Sequence, residues 1–185
     1  MTRRPLFTED LGEITGFRDR GFFFDTNVWY YIYGPSNFRS YAAEQFSNFY
    51  GKLVKSRRKI FAEPCIFTEF VNLYLRNAYQ VYCTERGLTN SFKYKEFRAT
   101  QAASDCIDEI ADVVSHIQKD CELIDSTFTG LDLDRLFALM RDKKVDFNDA
   151  LYGATCQRHN FILVTNDRDC SALDIDIVTV RGPRR

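Results

Sequence analysis

The sequence predicts an α/β protein: a parallel sheet of five strands with helices packed on both faces. Three observations carry that reading. Gly21-Phe22-Phe23-Phe24 has three consecutive aromatics and no polar alternation, as a parallel strand covered on both faces requires. Short, largely apolar runs recur at 59–62, 121–124, 161–164 and 175–180, separated by segments of helical period. Small polar groups follow two of these runs abruptly, as Asp25-Thr26-Asn27 and as Thr165-Asn166-Asp167-Arg168-Asp169. Ligand crevices of open α/β sheets lie just outside the carboxyl ends of the strands, so these are the places to look for chemistry.

In chain order, residues 1–20 read as a poorly structured arm with Arg3-Arg4-Pro5 at its tip. After the first strand, 28–33 makes a short helix stopped by Gly34-Pro35. A longer helix runs over 38–55, with Tyr41, Ala42, Phe46, Phe49, Tyr50 and Leu53 on its apolar face. That aromatic surface suggests self-association into a homodimer. Pro64 opens a helix over 65–82 that is apolar nearly all round and expected to be buried. On it Glu69, Asn72 and Arg76 share one face, either as a local network or as part of a site. A long helix follows over 92–119. Its acids Asp105, Asp108, Glu109 and Asp112 form a solvated face. Lys93, Lys95 and Arg98 lie among Phe92, Tyr94 and Phe97, which can hold single-stranded nucleic acid or simply be core aromatics beside exposed cations. The 131–141 helix precedes Val145-Asp146-Phe147-Asn148-Asp149, where Asp146 or Asn148 caps the next helix and Asp149 falls in its first turn. Ala150, Gly153 and Ala154 let that helix approach the sheet closely. The tail 181–185 is basic and expected to be loose.

The 185 residues suit one domain, with no internal repeat or linker. A net charge of -1 gives no general attraction to nucleic acid, so a polyanionic substrate needs a local basic patch or bound cations. Six cysteines without a Cys-x-x-Cys pair, and only two histidines, argue against a zinc site; four of the thiols sit in apolar runs. No signal peptide and no apolar run near the ~20 residues of a membrane span is present, so a reducing cytoplasm is the expected compartment.

Two strand ends thus carry acids, Asp25 at one and Asp167 with Asp169 at the other, and two helices add Glu69 and Asp149. Strand ends and adjoining helices converge on one crevice, where two unit charges ~4 Å apart repel by roughly 4 kcal/mol at an effective dielectric near 20. Such a cluster stays ionised only with cations present. Oxygen ligands without Cys or His select a hard ion, Mg²⁺ or Mn²⁺.

Phe24-Asp25-Thr26-Asn27, Thr68-Glu69-Phe70, Asn148-Asp149-Ala150-Leu151-Tyr152-Gly153-Ala154 and Val164-Thr165-Asn166-Asp167 resemble, in order, the four motifs of PIN-domain ribonucleases. The resemblance runs from about residue 20 to 180. It implies a Rossmann-like three-layer α/β/α fold and a metal-dependent endoribonuclease, often the toxin of a toxin–antitoxin pair, with RNA as substrate and an antitoxin protein as partner. The acids it carries over are Asp25, Glu69, Asp149 and Asp167, with Asp169 also fitting a loose version of the last motif. Asp25 and Asp149 are expected as direct metal ligands, and Glu69 and Asp167 as ligands or holders of the attacking water. Thr165 and Asn27, with Asp146 beside Asp149, are expected to orient them. Arg76 and Arg168 are candidates for steadying the phosphate. This chain departs from compact members by its N-terminal arm and by a helical extension over 81–119. Two rival readings exist: a PIN-like scaffold that binds RNA or protein without cutting, and a haloacid-dehalogenase-type phosphatase. The latter wants a second Asp where this sequence has Asn27.

Overall fold

A computed structural model describes residues 5–10, 19–35, 40–88, 92–125, 130–143 and 145–181. Among them six strands form one parallel sheet: β1 (Leu6–Phe7), β2 (Phe22–Phe24), β3 (Ile60–Ala62), β4 (Glu122–Leu123), β5 (Ile162–Val164) and β6 (Ile177–Thr179). Their order is β1-β6-β5-β2-β3-β4, and every pair is parallel. The sixth strand corrects the reading of a loose arm: Leu6 and Phe7 pair with Val178 and Thr179 at the sheet's edge. Asp10 pairs with Arg181, whose guanidinium also lies over the Phe7 ring, so the first residue of the basic tail is held as well. Residues 1–4 and 11–18 of the expected arm and 182–185 of the tail lie outside the described residues.

β2 is the centre of the sheet, and all three of its phenylalanines are fully buried. Successive side chains of a strand point to opposite faces. Phe22 and Phe24 pack on Phe49, and Phe24 also on Trp29 and Tyr50, while Phe23 packs on Tyr152. Helices α1 (Thr26–Tyr33) and α2 (Tyr41–Lys55) therefore cover one face. The other is covered by α7 (Phe147–His159), which follows the helix α6 (Leu133–Lys143) and packs against it. α3 (Pro64–Glu85) joins the first layer through Phe70 and Tyr74 against Tyr30. The long helix expected over 92–119 is in fact two, α4 (Tyr94–Phe97) and α5 (Gln101–Asp120). Thr100 breaks it: its hydroxyl accepts from the Ala103 amide and caps α5.

A further expectation changes: α3 buries only Ile66, Phe70, Tyr74 and Leu75, and Asn72, Leu73 and Arg76 face solvent. Of the α2 residues behind the homodimer expectation, Phe46, Phe49, Tyr50 and Leu53 are buried in the core, while Tyr41 stays exposed, as does Val54 on the same helix. The six thiols are free; Cys106, Cys156 and Cys170 are buried and the other three half-buried. Among the described residues no helix is long and apolar enough to cross a membrane.

Gly21 sets the entry to β2. A Cβ there would lie 2.1 Å from Phe61 Cε2, and Phe61 is itself stacked 4.1 Å from Phe161. Only glycine fits.

Candidate active site

The chain moves from β2 to β3 on one side of the sheet, while β5 lies on the other side of β2. That makes the gap between the ends of β2 and β5 the topological switch point, where an open α/β sheet has its crevice. The two strands run in register from Phe22 opposite Ile162 to Phe24 opposite Val164. Asp25 and Thr165 are the next residues of each, and they meet: Thr165 Oγ1 donates to Asp25 Oδ2 at 2.6 Å. Asn27 Nδ2 donates to the same oxygen at 2.5 Å, and the Asn27 backbone amide to Oδ1 at 3.4 Å. Asp25 is therefore the N-cap of α1 as well as a site residue. The Asn27 side-chain carbonyl accepts from the Asn166 amide, tying α1 to the loop after β5.

Asp149 enters from the other layer. Asp146 is the N-cap of α7, its Oδ1 accepting from the Asp149 amide at 2.9 Å, and this fixes Asp149 in the first turn. Cys170, on the 3₁₀ turn Asp169–Ala172, donates its thiol to Asp149 Oδ1 at 3.4 Å. One carboxylate oxygen each of Asp25 and Asp149 and the Cys170 sulfur lie within 4.8 Å of one another, all buried. Sequence reasoning expected an oxygen-only pocket; the thiol corrects it.

Burial pushes Asp25 up to about 7; the Thr165 and Asn27 hydrogen bonds oppose this, and the charges of Asp149 and Glu69 add to it. Asp149 rises to about 6, again chiefly by burial, with the Asp146 charge next and the Cys170 thiol opposing. Burial and then the Asp149 charge also push the Cys170 thiol up.

Glu69 stands at the rim. Its Oε2 accepts from Tyr152 OH at 2.6 Å and Thr26 Oγ1 at 2.9 Å. Thr26 and Tyr152 have no role in the sequence reading, although Tyr152 lies one helical turn beyond Asp149 and so on its face. Asp167 is exposed; its amide donates to Thr165 Oγ1, and its charge is felt at Asp149. Asp169 is also exposed, and its amide donates to Asp167 Oδ1. Arg168 lines a cleft of about 420 Å³ with Asn27, Tyr31, Asn166 and Asp167. The Arg76 guanidinium lies 5.3 Å from the centre of the Tyr94 ring, on the side of the helical extension. One buried acid carries no assignment in the sequence reading: Glu63, at the end of β3, is 1% exposed and accepts from Thr155 Oγ1.

Two buried carboxylates this close, with no ion-pair partner among the described residues, fit a divalent cation. Without one, a buried acid answers by taking up a proton, which is the direction of both shifts.

A parallel sheet whose switch point carries an acid pocket, furnished by strand ends and helices, defines an α/β protein with a candidate cation site. The PIN domain model matches residues 22–176, and the chain belongs to the PIN-domain family, a family of nucleases. Among curated proteins none matches the sequence. Two solved structures are similar in fold. The crystal structure of PAE2754 from Pyrobaculum aerophilum is 17% identical, with 86% of this chain and 83% of that one covered and a TM-score of 0.50. VapBC2 from Rickettsia felis, bound to a DNA fragment from their promoter, is 14% identical, with 85% and 97% covered and a TM-score of 0.52.

Proposed function

We propose that this chain is a Mg²⁺- or Mn²⁺-dependent endoribonuclease, the toxin of a toxin–antitoxin pair acting in the cytoplasm. The observation that carries it is the Asp25–Asp149 pair, buried at the switch point with no cationic side chain among the described residues to balance it. Asp25 and Asp149 would hold the ion, which would supply charge neutralisation and Lewis-acid chemistry toward phosphate and water. Thr165 and Asn27 fix the Asp25 carboxylate through hydrogen bonds to Oδ2. Tyr152 and Thr26 do the same for Glu69, whose other oxygen is left to orient the attacking water. Asp167, at the exposed rim, takes the proton of that water on the oxygen that does not accept from Asp169. Arg168, beside it in the cleft, receives the phosphate. Water attacks phosphorus in line, the bond to the 3′ oxygen breaks, and the products end in 5′-phosphate and 3′-hydroxyl. Likeness in fold to VapBC2 supports an antitoxin partner.

End-group analysis of cleaved RNA tests this chemistry. The expected products carry 5′-phosphate, and EDTA abolishes their formation. Products with a 2′,3′-cyclic phosphate, formed in EDTA, would overturn it.

A further inference from the structure

Cys170 brings a soft donor into a pocket of hard ones. It is fully buried, and its sulfur stands within 4.8 Å of an oxygen of Asp25 and of one of Asp149. The thiol is held there by the loop that follows β5. Thr165 Oγ1 accepts the Asp167 amide, Asp167 Oδ1 accepts the Asp169 amide, and Cys170 follows. With metal–oxygen bonds of about 2.1 Å and metal–sulfur bonds of about 2.3 Å, donor atoms around one ion stand roughly 3–4.5 Å apart. The three atoms can therefore close on a single cation with small side-chain movements.

We infer that Cys170 is the third ligand position of this centre, so that the pocket takes thiophilic divalent cations, Zn²⁺ and Cd²⁺, through two carboxylates and a sulfur. The inference rests on the reading of the pocket as a cation site. Carboxylate and water suit Mg²⁺ and Mn²⁺, whereas thiolate selects softer ions. With a hard ion the thiol stays as it stands here, a hydrogen-bond donor to Asp149. With a soft ion the S–H bond breaks, a sulfur–metal bond forms, and the proton passes through Asp149 Oδ1, which already accepts it, to solvent. No electron is transferred, and no further reactant is required.

The test is a Cd²⁺ titration of the full chain, read by the ultraviolet sulfur-to-cadmium charge-transfer band. Wild type is expected to develop the band and saturate it at one ion per chain, with Mg²⁺ in excess competing. Cys170→Ser is expected to lose the band and bind Cd²⁺ at least about tenfold more weakly, as loss of a metal-site interaction does. Asp25→Asn should weaken the band without removing any cysteine, which separates this site from the five other thiols. Cadmium-113 NMR of wild type reads the ligand set without any variant, so a Cys170→Ser protein that fails to fold does not block the test. A band that survives in folded Cys170→Ser, or an all-oxygen cadmium resonance in wild type, would overturn the inference. Continued Mg²⁺-dependent RNA cleavage alongside either result would leave the proposed function standing and remove only the sulfur ligand.

Discussion

At the scale of single residues, Asp25 joins stability to chemistry. Burial holds its pKa at about 7, against ~3.9 for an exposed aspartate. Between about pH 4 and pH 7 the folded chain keeps a proton that the unfolded chain has lost. This group's contribution to stability is therefore complete below pH 4 and lost as pH rises through 7. Asp149, raised to about 6, acts in the same direction. In EDTA, wild type should accordingly lose melting temperature from pH 4 to 7. Asp25→Asn should lose less of it, since an amide has no proton to give up over this range; its single acceptor oxygen keeps either the α1 cap or the bonds from Thr165 and Asn27, not both. Added Mg²⁺ should raise the wild-type melting temperature more at pH 8 than at pH 5. Melting curves against pH on both proteins check this; equal slopes would deny Asp25 its buried charge. Tyr152→Phe isolates a quieter part. It removes one donor to Glu69 while keeping the ring against Phe23, so stability should fall by about 1 kcal/mol and cleavage by roughly tenfold. An unchanged cleavage rate would show that Glu69 does not need the tyrosine.

At the scale of elements, legibility in the sequence followed burial and length. β2 and β5 could be read because strands buried on both faces are apolar at nearly every residue. α7 could be read because Asp146 and Asp149 mark its first turn. β1 could not, since two residues carry no periodicity. Cys170 could not be joined to Asp149 because the pair is 21 residues apart and meets only through a 3₁₀ turn. Glu69 was visible as an acid, but its partners Thr26 and Tyr152 lie 43 and 83 residues away in sequence. Gly21 carried no reading of its own in the sequence, because its constraint, the Phe61–Phe161 stack, comes from residues distant along the chain. Gly21→Ala must displace one of those rings and should cost about 2 kcal/mol, read by chemical denaturation. A cost below the measurement error would mean that the stack yields freely.

The helical extension has its own prediction. Arg76 lies two turns beyond Glu69 on the same face of α3, ~10 Å along the axis. Its guanidinium and that of Arg98 both lie within 5.6 Å of the Tyr94 ring centre, and both residues are exposed. If RNA leaves the pocket along this face, Arg76→Ala with Arg98→Ala should weaken binding of single-stranded RNA to the Asp25→Asn protein. The slope of log affinity against log salt should fall by about 2. Unchanged affinity would confine both arginines to holding α4 on α3.

At the scale of the whole molecule, the parts serve one point on the sheet. Phe22, Phe23 and Phe24 anchor β2 between two helical layers, so that Asp25 emerges at a fixed place. β5 brings Thr165 beside it, and α7 brings Asp149 from the opposite layer. The N-terminal strand and the Arg181–Asp10 pair secure the edge beside β6, and Arg20 paired with Asp176 does so at the amino end of β2. Among the described residues no cationic side chain pairs with the two buried carboxylates, and a cation between them is the central claim. The most direct test is the rate of RNA cleavage by wild type and by Asp25→Asn, each in EDTA and in Mg²⁺. The account predicts cleavage by wild type in Mg²⁺ alone, and a collapse of that rate in a folded Asp25→Asn protein. Cleavage at the wild-type rate by Asp25→Asn, or by wild type in EDTA, would contradict it.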